Sequence, residues 1–437
     1  MNTIEKDKYG FEIDPGVGYA RGPILRSSLE EAKRRLHALN LIRKRSVTHG
    51  PDSFYNITGL HRDFPLPAEN LNHAEEWIGP AFYWDELEDL ARAHFGGGSD
   101  HEIMVLNRCS AGIIAACLAL IKPGSQVISL VPGERSHPAI GRGIRLAGAQ
   151  LLQMNAIAEV SRALDSNAVS FMVITGVSSE LEVIDESILR DAISLAHKAD
   201  VPVLLDDAYG TRLRPIIYDQ PMSLQTGANL AVTACDKAGM SGPRAGLMVG
   251  EKQYIALVNT KAAELGLEAR SPLAAAVWAS LKAFTPKELK AEVSFGSRVY
   301  EELSQKYGPN FVIKSGIGAS LPAENVYMLV KEIRREDTDL PVCPAEITAA
   351  IGMVWLQEYG IISISALGQP GASIWLRFKP DPKVIARMGG LKALVKAIHH
   401  GLHHVAGVAH SIPKMKTLIL GPEKVACGTG HTGKQRF

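Results

Sequence analysis

Short apolar runs alternate with helical stretches from about residue 85 onward. Several of these runs are apolar at every position, as expected for strands that are buried on both faces of a sheet. Segments with helical periodicity separate most of them, which predicts βαβ units and a mainly parallel sheet. The last connection is too short for a helical crossover, so the last strand is predicted to be antiparallel or reached through a tight loop. The seven predicted strands are IMVLN (103–107), QVISLV (126–131), AQLLQM (149–154), FMVITG (171–176), PVLLDD (202–207), LAVTAC (230–235) and AGLMVG (245–250).

The first 50 residues are predicted to form an arm followed by a helix. Ser28 and Glu31 have the spacing of a capping box. Apolar residues recur at helical spacing from Leu29 to Ile42. We expect the opposite, basic face to be solvated, and an RNA or a phosphorylated partner is the alternative. The basic residues are Lys33, Arg34, Arg35, Arg43, Lys44 and Arg45.

The alternation stops near Pro286, where a long helical stretch begins. Three weaker strands are predicted after it, NVYMLV, GIISIS and SIWLRF, and a helical, His-rich segment follows from residue 382 to 409. We therefore expect a large domain over residues 51–290 and a smaller α+β domain over residues 291–420. The polar, Gly-rich residues 421–437 are predicted to form a mobile tail.

Composition narrows the classes of protein that remain. The 437 residues carry a formal net charge of +1, with 46% hydrophobic and 21% charged residues. This balance is typical of a globular protein, and it argues against a protein that coats a polyanion. The five cysteines show no C-x-x-C spacing, so we expect neither a disulfide scaffold nor a zinc site, and we predict a cytoplasmic protein. No apolar run has the length of a membrane-spanning helix, and the first residues do not resemble a signal peptide.

Two strands end in residues that are suited to one cofactor. Asp206 and Asp207 end one predicted strand, and Lys237 follows the next in a Gly-rich turn. Because ligands of open α/β sheets bind beyond the carboxyl ends of the strands, a carboxylate and a lysine are expected side by side there. A carboxylate holds the protonated ring nitrogen of pyridoxal phosphate (PLP), and a lysine forms a Schiff base with it. The alternatives are a helix-capping aspartate and a surface lysine.

Two further segments fit the same cofactor. Residues 107–112 follow the first predicted strand and open a helix, whose free amides, with Arg108 and Ser110, are suited to a phosphate. The alternatives are an ordinary N-cap serine and an arginine that points to solvent. His137 lies just beyond another strand, where an imidazole is able to stack on a flat ring, although a lone loop histidine is weak evidence.

Together these features resemble the fold-type-I PLP enzymes, the aspartate aminotransferase superfamily, over roughly residues 50–400. The segment from Asp236 to Gly246 is similar to the D-K-x-x-G-G-P-x-A-G stretch of bacterial selenocysteine synthase (L-seryl-tRNA selenium transferase) and its relatives. One departure is Ser241, where that branch usually has glycine. The resemblance implies an α/β fold with a mainly parallel seven-stranded sheet, helices on both faces, a smaller C-terminal α+β domain, and PLP as the cofactor.

The resemblance also implies roles for individual residues. Lys237 is the implied Schiff-base lysine and catalytic residue, and Asp206 is the implied partner of the pyridine nitrogen. Tyr209 and either Ser178 or Ser179 are expected near the phenolic oxygen of the cofactor. The remaining implied residues are Arg108, Cys109 and Ser110 for the phosphate, His137 for ring stacking, and Arg377 for the substrate α-carboxylate. A surface ion pair is the alternative for Arg377.

PLP lowers the barrier to breaking any bond at Cα, so several reactions remain open. The resemblance favours β- or γ-elimination or replacement on a small amino acid, through an external aldimine and a quinonoid, by a lyase or transferase. An aminotransferase, an oxygen-using PLP enzyme and a non-catalytic binding protein of this fold are the alternatives. No metal is expected in the site.

The same evidence bears on partners. A tRNA substrate is possible but not favoured, because the only evident basic cluster is on the first helix. The resemblance implies a homodimer or a larger homo-oligomer. We expect residues 55–62 to cover the cofactor site of the same or a neighbouring subunit.

Overall fold

A computed structural model describes residues 5–133, 135–166, 168–335 and 338–422. The predicted tail from residue 423 onward lies outside the described residues. The strands are β1 (Ile13–Asp14), β2 (Tyr19–Ala20), β3 (Tyr55–Asn56), β4 (His101–Leu106), β5 (Gln126–Leu130), β6 (Gln150–Met154), β7 (Val169–Thr175), β8 (Val203–Asp206), β9 (Leu230–Ala234), β10 (Gly246–Glu251), β11 (Ile313–Lys314), β12 (Ala319–Leu321), β13 (Ile361–Ile362) and β14 (Leu376–Phe378).

Helices connect most of these strands. They are α1 (Ser28–His49), α2 (Trp84–Phe95), α3 (Cys109–Leu120), α4 (Pro138–Leu146), α5 (Ile157–Leu164), α6 (Glu186–Lys198), α7 (Gly210–Ile217), α8 (Lys252–Leu265), α9 (Ser271–Ala283), α10 (Pro286–Tyr307), α11 (Ala323–Arg334), α12 (Pro344–Val354), α13 (Ile364–Leu367), α14 (Pro382–Met388), α15 (Leu391–Val408) and α16 (Ile412–Leu420). Short 3₁₀ segments occur at Pro51–Ser53, Ala68–Ala74, Gly79–Phe82 and Leu224–Thr226, and a π-helical turn at Trp355–Tyr359. None of the helices in the described part of the chain has the length and apolarity to cross a membrane.

The seven predicted strands form one sheet, in the order β4-β10-β9-β8-β7-β5-β6. All neighbouring pairs are parallel except those of β10, which is antiparallel to both β9 and β4. The predicted α/β class and the antiparallel last strand are confirmed. The connection from β9 to β10 has no helix, and therefore it returns the chain in the opposite direction.

Both faces of this sheet are covered by helices, which explains the continuous apolar runs. Each face of the sheet packs into its own hydrophobic core. Alternate residues of β7 point to the two cores, Met172 and Ile174 to the first and Phe171 and Val173 to the second. Helices α2, α5, α6 and α9 contribute to the first core, and α3, α4 and α8 to the second. The carboxyl ends of the parallel strands are left open at one edge of the sheet.

A third core lies between α10–α12, α15, α16 and the small sheet β11-β12-β14. One of the three weaker predicted strands is wrong, because NVYMLV belongs to helix α11. Its buried residues Val326, Leu329 and Val330 recur every three or four positions, which is a helical period that the apolar run obscures. GIISIS contains only the two-residue strand β13, and SIWLRF contains β14. The proposed limit at residue 290 falls within α10.

Helix α1 differs from the prediction in two ways. Its N-cap is Ser27, whose hydroxyl oxygen accepts from the Leu29 amide at 3.1 Å, so the predicted cap at Ser28 is wrong by one residue. The buried residues of the helix are Glu30, Glu31, Arg34 and Ala38, whereas the leucines of the apolar stripe are exposed. Arg34 is not solvated, because its guanidinium donates to the Gly368 carbonyl at 2.7 Å.

Candidate active site

Lys237 follows β9 in a loop that an adjacent segment of the same chain holds in place. The backbone of Leu60 forms an isolated antiparallel bridge with Lys237. Two amides that follow Leu60 donate to the same loop on either side of Lys237, His61 to the Asp236 carbonyl at 2.9 Å and Asp63 to the Ser241 carbonyl at 3.1 Å. The predicted covering segment therefore lies over the site of its own chain.

That segment, residues 55–63, also contacts the C-terminal part of the chain. Strand β3 pairs in parallel with β13, and the Lys379 amide donates to the Ile57 carbonyl at 2.9 Å. Gly59 has a φ of 65°, and a Cβ there would lie 2.7 Å from the Cβ of Lys379. Glycine is required at this position both by the left-handed backbone and by the close packing.

Asp206 ends β8, directly beside β9, and is buried. Burial raises the pKa of its carboxyl group from 3.8 to about 6, and the nearby Lys237 opposes that rise. Within the described residues no hydrogen-bond partner reaches Asp206 Oδ1, although that atom is shielded from solvent. A buried carboxylate oxygen without a partner is costly, and a cationic ring nitrogen would satisfy it.

Asp207, the adjacent carboxylate, has a different environment. It pairs with the guanidinium of Arg214 through two contacts, at 3.1 and 2.5 Å, and both side chains are fully buried. Ser223 Oγ donates to the same carboxylate at 2.7 Å. Asp207 therefore joins β8 to α7, and its carboxylate is saturated by these contacts.

The predicted phosphate-binding residues form the first turn of α3 and the residue before it. Arg108 precedes the helix, and Cys109 and Ser110 begin it. A Cβ at Gly246 of β10 would lie 2.7 Å from the backbone of Arg108 and Cys109, so only glycine permits this approach. Arg108 Nη1 donates to the side-chain oxygen of Gln369 at 2.8 Å, and therefore does not point to open solvent.

His137 caps α4, where its Nδ1 accepts from the Ala139 amide at 3.2 Å. Burial, with Lys237 nearby, lowers the pKa of the imidazole to about 3. The ring is therefore neutral near pH 7, as suits a flat group that stacks on another ring.

The other three predicted residues also face this region. Ser178 Oγ accepts from the amides of Glu180 and Glu182 at 3.1 and 3.2 Å, so its hydroxyl also organises its own loop. Arg377 is buried and donates to the Ser179 carbonyl, and burial lowers the pKa of its guanidinium. Tyr209 is buried, and its ring centroid lies 4.8 Å from Lys237 Nζ.

All nine predicted residues line one cleft of about 1090 Å³ at the carboxyl edge of the sheet. Sequence reasoning assigned no role here to Lys379, Arg142 or Arg244, and it placed Arg62 only in the covering segment. Arg62 pairs with Asp236 at 3.1 Å, while Arg142 and Arg244 contact a carbonyl and an amide oxygen. Arg142 lies on α4 and Arg62 in the covering segment, both far from Lys237 in sequence, whereas Arg244 lies within the segment that contains Lys237.

Lys379 lies behind Tyr209, at 2% exposure. Its Nζ is 3.4 Å from the Tyr209 hydroxyl and 4.6 Å from the ring centroid. Burial, with the cations Arg377 and Lys237 nearby, lowers the pKa of the Lys379 amine well below its usual range. Its position two residues after Arg377 was a usable signal, because alternate residues of an extended segment share a face.

We expect the Lys379→Met variant to be more stable than the wild type near pH 7 and less active. A buried lysine with a lowered pKa makes the folded state bind fewer protons than the unfolded state, so wild-type stability rises with pH toward the ordinary lysine pKa. The advantage of the variant should therefore shrink as pH rises. Denaturant unfolding at pH 7 and pH 10 measures it, and a constant or growing difference would contradict this account of Lys379.

The cleft fits PLP by three independent features: the unpartnered oxygen of Asp206, the neutral imidazole of His137, and the close approach of Gly246 to the first turn of α3. Lys237, in the loop after β9, lies near Asp206 at the end of the adjacent strand β8, and its charge acts on the pKa of that carboxyl group. The fold and this site define a PLP-dependent enzyme of fold type I.

Residues 73–384 match the sequence model of the aminotransferase class I and II family, and the chain belongs to that family. It is similar to a UPF0425 pyridoxal phosphate-dependent protein of Methanothermobacter thermautotrophicus, at 37% identity over 405 residues, 91% of this chain and 100% of the relative. An arginine decarboxylase of Bacillus cereus is 30% identical over 196 residues, 40% of this chain and 38% of the relative. The cofactor is therefore PLP.

Solved structures share the fold at low identity. The SepCysS chain of a complex with the SepCysE N-terminal domain has a TM-score of 0.55 at 14% identity, over 84% of this chain and 99% of the other. N-Succinyldiaminopimelate aminotransferase from Mycobacterium tuberculosis has a TM-score of 0.55 at 15% identity, over 85% and 99%. These likenesses show the fold alone.

Proposed function

We propose that this PLP-dependent enzyme removes the Cα proton of a small amino acid and eliminates or replaces an anionic substituent at the β or γ carbon. The observation that carries the proposal is the excess of positive charge in the cleft. Arg108, Arg142, Arg244 and Arg377 line it, and among the described residues none of the four forms a close ion pair with a carboxylate, although the charge of Glu180 acts on Arg377.

The charges can be counted against the expected ligands. A phosphate monoester carries about −2 near pH 7, and a substrate α-carboxylate carries −1. Four guanidinium groups therefore leave one positive charge without a counterpart. A negatively charged leaving group, such as phosphate, would supply it, whereas an amino acid with a neutral side chain would not.

The residues of the chain divide the work as follows. Arg377 binds the α-carboxylate and so favours reactions that retain it over decarboxylation. In β-elimination the amine of Lys237 takes the proton from Cα, the electron pair of that C–H bond forms the Cα–Cβ double bond, and the electron pair of the bond to the substituent departs with the leaving group. Asp206 holds the ring nitrogen protonated. When bound, PLP supplies the electron sink that stabilises negative charge at Cα.

The products separate this reaction from its alternatives. We expect the holoenzyme to release ammonia, a 2-oxo acid and the leaving group from a substrate such as O-phosphoserine without an amino acceptor. Amino transfer, the second candidate, which the family match favours, requires a 2-oxo acid acceptor and releases no ammonia. Consumption of O₂ would identify an oxygen-using enzyme. Formation of a 2-oxo acid that depends on an added acceptor and occurs without ammonia, or the absence of ammonia release from every β-substituted amino acid tested, contradicts elimination.

We expect the Arg377→Ala variant to lose about 100-fold or more in kcat/KM, mainly through KM. Truncating one partner of a buried charge pair costs about 2–5 kcal/mol. Arg190 is half-exposed, and Glu186 on α6 is its only ion-pair partner among the described residues, so Arg190→Ala is the matched control, for which we expect unchanged kinetics. Steady-state kinetics of both variants check this, and an unchanged KM in Arg377→Ala would remove the arginine from carboxylate binding.

We also propose that the enzyme works as a homo-oligomer in a reducing cytoplasm. The four cysteines of the described residues are free thiols. The exposed leucines of α1, Leu29, Leu36 and Leu39, provide an apolar surface that a second subunit would cover. Light scattering of the purified protein tests the assembly. Filter binding at several salt concentrations tests tRNA, which we do not favour as a substrate.

A further inference from the structure

Two histidines and a glutamate converge at a surface that is separate from the cofactor cleft. His400 and His404 lie one turn apart on α15, so their imidazoles project from the same face. Glu358 reaches them from the π-helical turn Trp355–Tyr359, which packs against that helix. Two elements of the chain therefore bring three metal-binding side chains together.

The separations of the ligand atoms match those around a metal ion. Glu358 Oε2 lies 3.2 Å from His400 Nδ1, and Glu358 Oε1 lies 3.5 Å from His404 Nδ1. In a tetrahedral zinc site with bonds of about 2.0–2.1 Å, neighbouring ligand atoms are about 3.3 Å apart. All three side chains place a ligand atom within 4.8 Å of the others. A small movement of the imidazoles would complete the geometry.

The backbone beneath the cluster is fixed by packing. Trp355 Nε1 donates to the Ala397 carbonyl of α15 at 3.0 Å. A Cβ at Gly401 would lie 2.3 Å from the same indole nitrogen, so glycine allows the turn and the helix to meet. The Tyr359 ring also lies edge-on to His400, with centroids 5.7 Å apart. Packing therefore fixes the backbone positions of Glu358, His400 and His404 before any metal binds.

We propose that Glu358, His400 and His404 bind one divalent transition-metal ion, for which zinc is the best candidate. Two imidazoles and one carboxylate suit borderline cations such as Zn²⁺ far better than Mg²⁺ or Ca²⁺. Because the cluster is at the surface, a water molecule fills the fourth position. The ion joins α15 to the π-helical turn and so stabilises the C-terminal part of the chain.

The same helix supplies a matched control. His399 and His403 have the same spacing, and their rings lie 4.2 Å apart, centroid to centroid. No carboxylate within the described ranges completes a three-ligand group with that pair. The His403→Gln substitution therefore removes one imidazole of α15 without touching the proposed site.

The test is a calorimetric titration of zinc chloride into untagged, chelator-treated holoenzyme. We expect one zinc ion per chain that His404→Gln removes and that Glu358→Gln weakens, while His403→Gln leaves it unchanged. Mutating a residue that only supports a metal ligand typically lowers metal affinity about 10- to 100-fold. We expect a larger loss of zinc affinity in His404→Gln, because this histidine is itself a proposed ligand. Zinc should also raise the melting temperature of the wild type, but not that of His404→Gln.

Three results would overturn the proposal: no zinc bound by the wild type, equal affinity in His404→Gln, or an equal loss in His403→Gln. The visible absorbance of the bound cofactor shows that each variant is folded, since the site of PLP is elsewhere. A zinc ion bound in the cleft would persist in His404→Gln and is distinguished in that way.

Discussion

Replacing Asp206 with asparagine should make the cofactor-free protein more stable at pH 8 while abolishing the function of the site. The folded protein holds this carboxyl group buried, with one oxygen that no described group contacts, and its pKa rises from 3.8 to about 6. That rise corresponds to a destabilisation of about 3 kcal/mol once the group is ionised. Asparagine has the same shape and no charge to desolvate.

The effect has a defined pH dependence. A carboxyl group with a raised pKa favours the folded state at low pH, and that contribution is lost as pH rises from about 4 through about 6. The Asp206→Asn substitution is thus expected to be nearly neutral at pH 4 and stabilising at pH 8. Denaturant unfolding of the cofactor-free proteins at both pH values measures the difference. A variant that is less stable than the wild type at pH 8 would rule out the unsatisfied carboxylate.

The adjacent residue gives a control of opposite sign. In Asp207→Asn the fully buried guanidinium of Arg214 loses its carboxylate. Removing one partner of a buried ion pair typically costs about 3–5 kcal/mol. Two neighbouring aspartates should therefore respond in opposite directions to the same chemical change. Equal changes in the free energy of unfolding for the two variants would contradict the different environments of the two carboxylates.

The Lys237→Ala variant should lose the visible absorbance of covalently attached PLP and nearly all activity. A positioned general base alone contributes about 10²- to 10⁴-fold to a rate, and this lysine also carries the cofactor. The fold should persist, because β9 and its neighbours do not depend on this side chain. Absorbance and activity of Lys237→Ala are compared with those of Lys379→Met, which removes the second amine near Tyr209. Retained covalent PLP in Lys237→Ala would show that another lysine holds it.

Much of the fold and site followed from short-range patterns. The buried strands are apolar at every position, and a carboxylate and a lysine after two of them are rare enough to locate the cofactor. Asp206 ends β8 and Lys237 follows β9, its parallel neighbour, so both residues lie at the same edge of the sheet. The distinction between Asp206 and Asp207 was not predictable, since it depends on Arg214 of the next helix.

The errors have physical reasons. NVYMLV is apolar enough for a strand, but it forms part of helix α11, which buries Val326, Leu329 and Val330 in the third core and leaves Met328 exposed. On α1, the chain buries acidic and basic residues that pair with one another and with Arg21, and leaves leucines exposed. Periodicity reports which face is apolar, and the tertiary contacts decide which face is covered.

The segment from residue 55 to 63 connects the loop of Lys237 in the large domain with the C-terminal part of the chain that carries Arg377. At one end it is a strand neighbour of β13, and at the other its backbone is bonded on both sides of Lys237. Arg377 lies two residues before Lys379, whose amide is bonded to the same segment. One segment therefore connects the backbone beside Lys237 with the backbone two residues after Arg377. We expect a ligand that binds Arg377 as proposed also to change the position of Lys237, which would link substrate affinity to proton transfer thermodynamically.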